Sequence, residues 1–411
     1  MKDTKHAPIR DALRVREFRV LWLTEALSVF GDQLARVALA LLVYARTNSA
    51  LLTALTYALT FVPAVLGGFL LSGLADRFPR RTVIVVTDAI RGCLAAAMAI
   101  PGVPLPVLWV LVGLLTLAGA PFKGAQLALL SDVLPEQTLQ AGLGLRQMTS
   151  QIAQVAGFGL GGVLVTAWSA SASLVLNAAT FFLSAVLVLV FIQQRRAAAA
   201  EAGSAEHSGQ GKLDGRIVAV ALLAGLTGLL VVPEGLAAPF ASAAGVGSFG
   251  VGLLMASDPI GSVVGGWWAA RRQANDVLSA KAVVLPAVLA GVPLILCAWL
   301  PGVWWAAALW AVTGMLSTVY IVRMVAAVRE LVPDSRRATV MGRLTTVLYS
   351  SQGVAILLGG VVAEQVGPVG AVALSGGAAV IAAASTGLVW QAARPRRARS
   401  AADEPAPVIA A

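Results

Sequence analysis

FLLSGLADRFPRRTVIVV, Phe69 to Val86, decides how the rest of the chain reads. An apolar run meets Asp76, Arg77, Arg80 and Arg81, then resumes at once as a second apolar run. Four charges in six residues between two such segments mark a short connection outside the hydrocarbon, joining two membrane-crossing helices. The link is about eight residues long, too short to let its two helices swing independently. A positive anchor accounts for the arginines but not for the Asp-Arg pair. An acid at a helix end can pair with a basic residue or cap a neighbouring helix N-terminus. Such a contact can form in one conformation and break in another.

Composition agrees with a lipid-embedded chain. Of 411 residues, 58% are hydrophobic and 12% charged, against about a quarter charged in soluble proteins. The apolar share is enough for about twelve spans of ~20 residues. Apolar runs occupy 18–45, 51–74, 83–101, 105–126, 140–167 and 171–192, then 216–243, 247–270, 280–300, 303–325, 341–365 and 369–391. In lipid every backbone polar group must be paired within its own segment, so each run is expected to be a helix. The expected fold class is all-α integral membrane, with twelve transmembrane helices in two six-helix bundles. Its expected parts are a cytoplasmic segment 1–17, a bundle 18–192, a loop 193–215, a bundle 216–391 and a disordered tail 392–411. The loop, QQRRAAAAEAGSAEHSGQGKLDG, is polar and small-residue-rich, as a flexible connector is.

Orientation follows from the basic residues. Twenty-three Lys and Arg residues fall in the termini and the connections on one side, and Arg46 alone in those on the other. Lys and Arg collect on the cytoplasmic side of spans, so both termini are expected there, in the plasma membrane. The net charge of +10 is explained by this asymmetry, with no nucleic-acid partner. No cleaved signal peptide is expected, because the charged start is too long and no small-residue cleavage site follows the first apolar run. Cys93 and Cys297 lie inside apolar runs and read as small core residues with no disulfide.

The halves resemble each other. LLSDVLPEQTLQAGLGLRQ around Pro135 and AVRELVPDSRRATVMGRLT around Pro333 align at an offset of 198 residues. The same offset places Gly161-Gly162 on Gly359-Gly360. A parallel repeat implies a pseudo-two-fold axis along the membrane normal.

Ionisable residues at membrane depth are functional candidates. Asp32 lies mid-way along the first run, with Arg36 one turn on along the same face. Asp32 is either a proton carrier or a permanent partner of Arg36 lining a watery cavity. Glu234 stands between Pro233 and Gly235, and Asp258 precedes Pro259. Proline removes a backbone donor and frees a carbonyl, so both acids are placed at expected helix breaks, as in transporter ion sites. The alternative for each is a carboxyl bonded to freed backbone or to a neighbouring hydroxyl. Asp88 and Arg91, three apart, read as a structural pair, and Lys123, Arg146, Arg323 and Arg343 as inner-gate or anchoring residues.

GLADRFPRR resembles motif A of the major facilitator superfamily, G-x-x-x-D-R-x-G-R-R. Asp76, Arg77, Arg80 and Arg81 match, while Ser72 and Pro79 stand where the pattern has Gly. The resemblance implies a conformational gate at these four residues. SVFGDQLARVAL, Ser28 to Leu39, is similar to the first helix of macrolide-efflux-like drug:proton antiporters. GFGLGG, Gly157 to Gly162, resembles the antiporter motif C, G-P-x-x-G-G, with Phe158 in place of Pro. Gly157, Gly159, Gly161 and Gly162 are accordingly expected to serve close helix packing.

An ATP-driven pump or a metalloprotease does not fit, since the chain has no G-x-x-x-x-G-K-[ST] and no H-E-x-x-H. The expected protein is therefore not an enzyme, needs no cofactor or metal, and works as a monomer in the bilayer. It is expected to export a small amphipathic compound by proton antiport, with Asp32, Glu234 and Asp258 as the proton-coupling candidates. The alternatives are an importer or facilitator of a small metabolite, and a non-transporting scaffold or sensor that keeps the fold.

Overall fold

The computed structural model describes residues 9–71, 73–194, 215–271 and 278–393, without the side chains of Ala75, Asp76, Asp334, Ser335 and Ala338. Most of the expected loop 193–215 and of the tail 392–411 lies outside the described residues, as does the motif A acid side chain at Asp76. Every regular element among the described residues is a helix.

The helices are α1 (Ile9–Arg14), α2 (Arg16–Thr47), α3 (Ala50–Ala58), α4 (Val62–Leu71), α5 (Leu74–Arg77), α6 (Arg80–Met98), α7 (Leu105–Val133), α8 (Glu136–Ala167) and α9 (Ala170–Phe191). The second half holds α10 (Arg216–Gly235), α11 (Ala237–Ala243), α12 (Ser248–Arg271), α13 (Ala280–Leu296), α14 (Val303–Leu331) and α15 (Asp334–Ala392). Nine segments among the described residues are long and apolar enough to cross a membrane. The last of these crosses twice, because Gly367 at φ 77° breaks α15 just before Pro368. The charged α6 and the shorter α13 complete the twelve spans.

Local chemistry sets the ends. Asn48 closes α2 in the left-handed region, and the Ser49 hydroxyl accepts from Leu52 N to open α3. The repeat is visible in backbone detail: Pro135 and Pro333 occupy the N-caps of α8 and α15 with nearly the same dihedrals, φ −56° and ψ 150° or 148°. Pro lacks an N–H, so a helix start is where it costs least. The break expected at Pro233 occurs, with α10 ending at Gly235. The break expected at Pro259 does not, and α12 runs through it unbroken. Gly261 and Gly265 lie against the Ala311 and Met315 carbonyls of α14, so close that a side chain would not fit between the two helices.

Helices α2, α6, α7, α8 and α9 pack together with α4 on α7, and α10, α12, α13, α14 and α15 form the second bundle. The bundles meet through α8 on α12 and α3 on α15. Gly162 lies against Ser248 and Gly252, and Gly360 against Leu51 and Ala54, so the 198-residue repeat supplies one glycine contact to each seam. Both seams lie in the half of the molecule away from Arg77, Arg80 and Arg81. There one apolar core is continuous across both bundles, joining Val37, Ala54, Tyr57 and Phe158 to Leu230, Leu254 and Ile356. In the arginine-rich half the first bundle keeps a separate core around Phe18, Ile84 and Leu129. Cys93 departs from the expected core position and is exposed, while Cys297 is buried; both thiols are free.

Candidate functional site

Between the bundles lies an open cavity of about 900 Å³ that extends toward the arginine-rich face. Helical spacing builds its walls. On α2, residues 25, 28, 29, 32, 36 and 39 face the cavity, while Phe18, Leu21, Leu34 and Val37 are buried. Steps of three and four residues keep one face of a helix aligned. The same spacing brings Gln147, Ser150, Gln151 and Gln154 of α8 to the wall, and Gly342, Thr345, Thr346, Tyr349 and Gln352 of α15. Six glutamines line this space beside Val65, Phe69, Val112 and Leu115, so the wall mixes hydrogen-bonding groups with apolar ones. A wall of that kind suits an amphipathic guest.

Four carboxylates face the cavity: Glu25 and Asp32 from the first bundle, Glu234 and Asp258 from the second. Each has its own setting. Asp32 is paired with Arg91, Nη2 to Oδ2 2.8 Å, and not with Arg36. The expected Asp32–Arg36 pair does not form because Arg36 lies over the rings of Tyr57 and Phe61, 5.6 and 5.3 Å from their centroids. Arg36 there faces Glu234 electrostatically, across the boundary between the bundles. The Tyr57 hydroxyl donates to Glu234 Oε2 at 2.5 Å. Glu25 takes a two-pronged contact from Arg146, with Nη2 to Oε1 at 2.8 Å, and Arg146 also reaches Gln126 at 3.2 Å. Asp258 forms no ion pair among the described residues; Ser262 is its hydrogen-bond partner, and Gly314 gives it room.

The family profile described as Major Facilitator Superfamily matches residues 21–275, more than half of the chain. This chain belongs to the major facilitator superfamily. An uncharacterized MFS-type transporter, YfiS of Bacillus subtilis (strain 168), is 28% identical over 172 residues, covering 41% of this chain and 40% of that relative. Among solved structures, a bacterial homolog of the human lysosomal transporter Spinster, inward-facing and occupied, aligns with TM-score 0.72 at 15% identity over 98% of this chain and all of that one. The nucleoside transporter NupG aligns with TM-score 0.70 at 15% identity over 90% of this chain and 99% of that one. At such identities the likeness is one of fold. Family and fold together make the protein a multi-pass membrane transporter and not an enzyme.

The superfamily motifs fall into place unevenly. Arg80 pairs with Asp132 and donates to Ala128 O at 3.0 Å, and Arg81 donates to Leu189 O. Both contacts stay within the first bundle, tying α6 to the ends of α7 and α9. Arg77 is exposed on the same face. Of the four motif C-like glycines, Gly157 and Gly161 pack α8 onto α2 at Phe30 O and Val37, and Gly162 packs it onto α12. Gly159 meets open space and serves no packing contact, since 100° per residue turns it away from that face. Phe158, where the motif has Pro, is buried in the core shared by both bundles.

Sequence reasoning passed over Tyr57 and left Glu364 unassigned. Tyr57 lies one turn from Phe61 in an apolar run, and a hydroxyl-bearing ring inside such a run is the signal by which it could have been found. Glu364 accepts from Ser49 Oγ at 2.6 Å and from Leu51 N at 3.0 Å, joining the bundles on the far face. Nothing in the sequence relates positions 315 apart.

Proposed function

We propose that this protein exports a small amphipathic compound across the plasma membrane in exchange for protons, with its arginine-rich face and both termini in the cytoplasm. The observation that carries this reading is the cavity between the bundles, which holds carboxylates from both and extends toward the arginine-rich face. With the far-face seams shut, that arrangement is an inward-facing one. Substrate enters from the cytoplasm, and protons load from the outside when the bundles rock the other way. Coupling requires only that substrate and proton favour different conformations. Asp32, Glu234 and Asp258 are the proton-coupling groups, and Asp76, Arg77, Arg80 and Arg81 bias the equilibrium from the cytoplasmic rim.

Everted membrane vesicles test the direction. Energised vesicles from cells expressing the protein should accumulate a fluorescent amphipathic compound, and adding the compound should release protons from the lumen. Accumulation in right-side-out vesicles instead would make the protein an importer. Asp258→Asn and Glu234→Gln should abolish coupled accumulation while leaving exchange of labelled for unlabelled compound; normal accumulation by both variants, and by Asp32→Asn, removes the carboxylates from the coupling.

A further inference from the structure

The cavity between the bundles differs from end to end. Helix α8 bounds it beside the α12 seam, and α4 bounds it at the other end, beside α15. On α8, Gln147, Gln151 and Gln154 recur at steps of four and three, so they stack along one face as a row about 10 Å long. The Gln154 amide donates to Gln151 Oε1 at 2.8 Å, leaving the Gln151 amide N–H groups and the Gln154 carbonyl oxygen for a guest. The α4 end carries the apolar groups. Val65 and Phe69 of α4 stand there with Leu115 of α7, and the Phe61 and Tyr349 rings lie 6.4 Å apart across the boundary between the bundles.

Three more amides line this space with oxygens that are buried and take no hydrogen bond from the described residues: Gln33 of α2, Asn177 of α9 and Gln352 of α15. Gln33 is 6% exposed and Asn177 1%. A buried acceptor without a donor is costly, so these groups favour a guest that donates to them.

The charged groups, by contrast, are already taken. Asp32 has Arg91, Glu25 has Arg146, and Glu234 has the Tyr57 hydroxyl with Arg36 beside it. Asp258 holds no cation among the described residues and Lys123 of α7 holds no acid, so these two offset each other in number. A charged head group therefore meets no field of one sign to draw it in. Taking a residue from one of the pairs would strand the other, at a cost.

We infer that the guest carries an uncharged, hydroxyl-rich head group, of which a sugar is the simplest form, seated on the α8 glutamines with its apolar tail against α4, Leu115 and Tyr349. Each hydroxyl both donates and accepts, which is what a row of amides with open N–H and C=O groups requires. A cavity of about 900 Å³ has room for such a head and its tail. The inference rests on the amphipathic-guest reading above and narrows its substrate class to neutral amphiphiles.

Hexyl β-glucoside, hexyltrimethylammonium and hexyl sulfate share one tail and differ in the head. Each is titrated calorimetrically into lipid nanodiscs holding the full chain, with the heat from empty nanodiscs subtracted. The glucoside should bind at least about tenfold more tightly than either ion. Gln151→Leu combined with Gln154→Leu should weaken the glucoside by about tenfold and leave the binding of both ions where it was. Gln151→Glu should turn the preference toward the ammonium, a change that mere loss of folding does not produce. Val65→Ser combined with Phe69→Ser should weaken all three compounds alike. If the paired leucine variant fails to fold, Gln147→Leu, on the exposed part of the row, gives the same comparison. Tighter binding of either ion, or an unchanged glucoside affinity in the leucine variants, overturns the inference and leaves export of an amphiphile standing. If none of the three binds, the amphipathic-guest reading falls and this inference with it. Glucoside preference without accumulation in everted vesicles would instead retire the export reading and keep the head-group site.

Discussion

The Tyr57 hydroxyl and the Glu234 carboxylate meet across the boundary between the bundles, with Arg36 beside both. A hydrogen bond to a charged group is worth about 1.5–3 kcal/mol, and this one exists only while the bundles are closed here. Tyr57→Phe and Glu234→Gln should therefore be non-additive. Thermal unfolding in detergent should give a coupling of about 1 kcal/mol or more in the double-mutant cycle. Strict additivity would mean that the two side chains do not act together. The acids themselves were legible from composition and depth: a carboxylate inside an apolar run stands out. Their partners were not. Spacing of four residues placed Arg36 beside Asp32, but aromatic faces and a carboxylate on other helices attract the guanidinium as strongly as a helical neighbour does. Arg91, fifty-nine residues from Asp32, takes its place through packing of α6 beside α2, which no local pattern encodes.

At the scale of elements, the far-face seam between α3 and α15 carries a polar clasp. Glu364 accepts from Leu51 N and Ser49 Oγ at the start of α3, where free N–H groups and the helix dipole favour a carboxylate. Capping contacts of this kind are worth about 0.5–2 kcal/mol. Glu364→Ala should loosen the seam, and a cysteine placed at the buried position Ala50 should then react several times faster with a membrane-impermeant maleimide. Glu364→Gln should react at an intermediate rate, since its amide oxygen still accepts. Equal rates in all three proteins would deny the clasp any hold on the seam. Helix existence was plain from the apolar runs, as was the stop at Pro233, and the gap between the runs 341–365 and 369–391 is where Gly367 breaks α15. The unbroken α12 was not, because a proline inside an apolar run costs a hydrogen bond without deciding by itself whether the helix stops.

For the whole molecule, the question is whether the far face must part for transport. The 198-residue repeat announced two equivalent halves, and the structure gives each seam one glycine of the repeated pair. Which conformation the halves adopt is a matter of small free-energy differences between packings, and sequence pattern carries no record of it. At the α8–α12 seam, Thr166 Oγ1 and Ser248 Oγ lie 2.5 Å apart across the boundary. Replacing both with cysteine, in a chain whose Cys93 and Cys297 are changed to serine and alanine, places two sulfurs within bonding reach. Oxidation should then tie the bundles together on this face and leave the cavity reachable from the arginine-rich face alone. Substrate should still bind, with affinity changed by less than about threefold, whereas accumulation in vesicles should fall by more than about tenfold and return on adding a reductant. Binding without transport is the signature of a cavity held on one side of the membrane. If the cross-linked protein transports at the rate of its reduced form, this seam does not open during the cycle, and the bundles exchange their faces by some other motion.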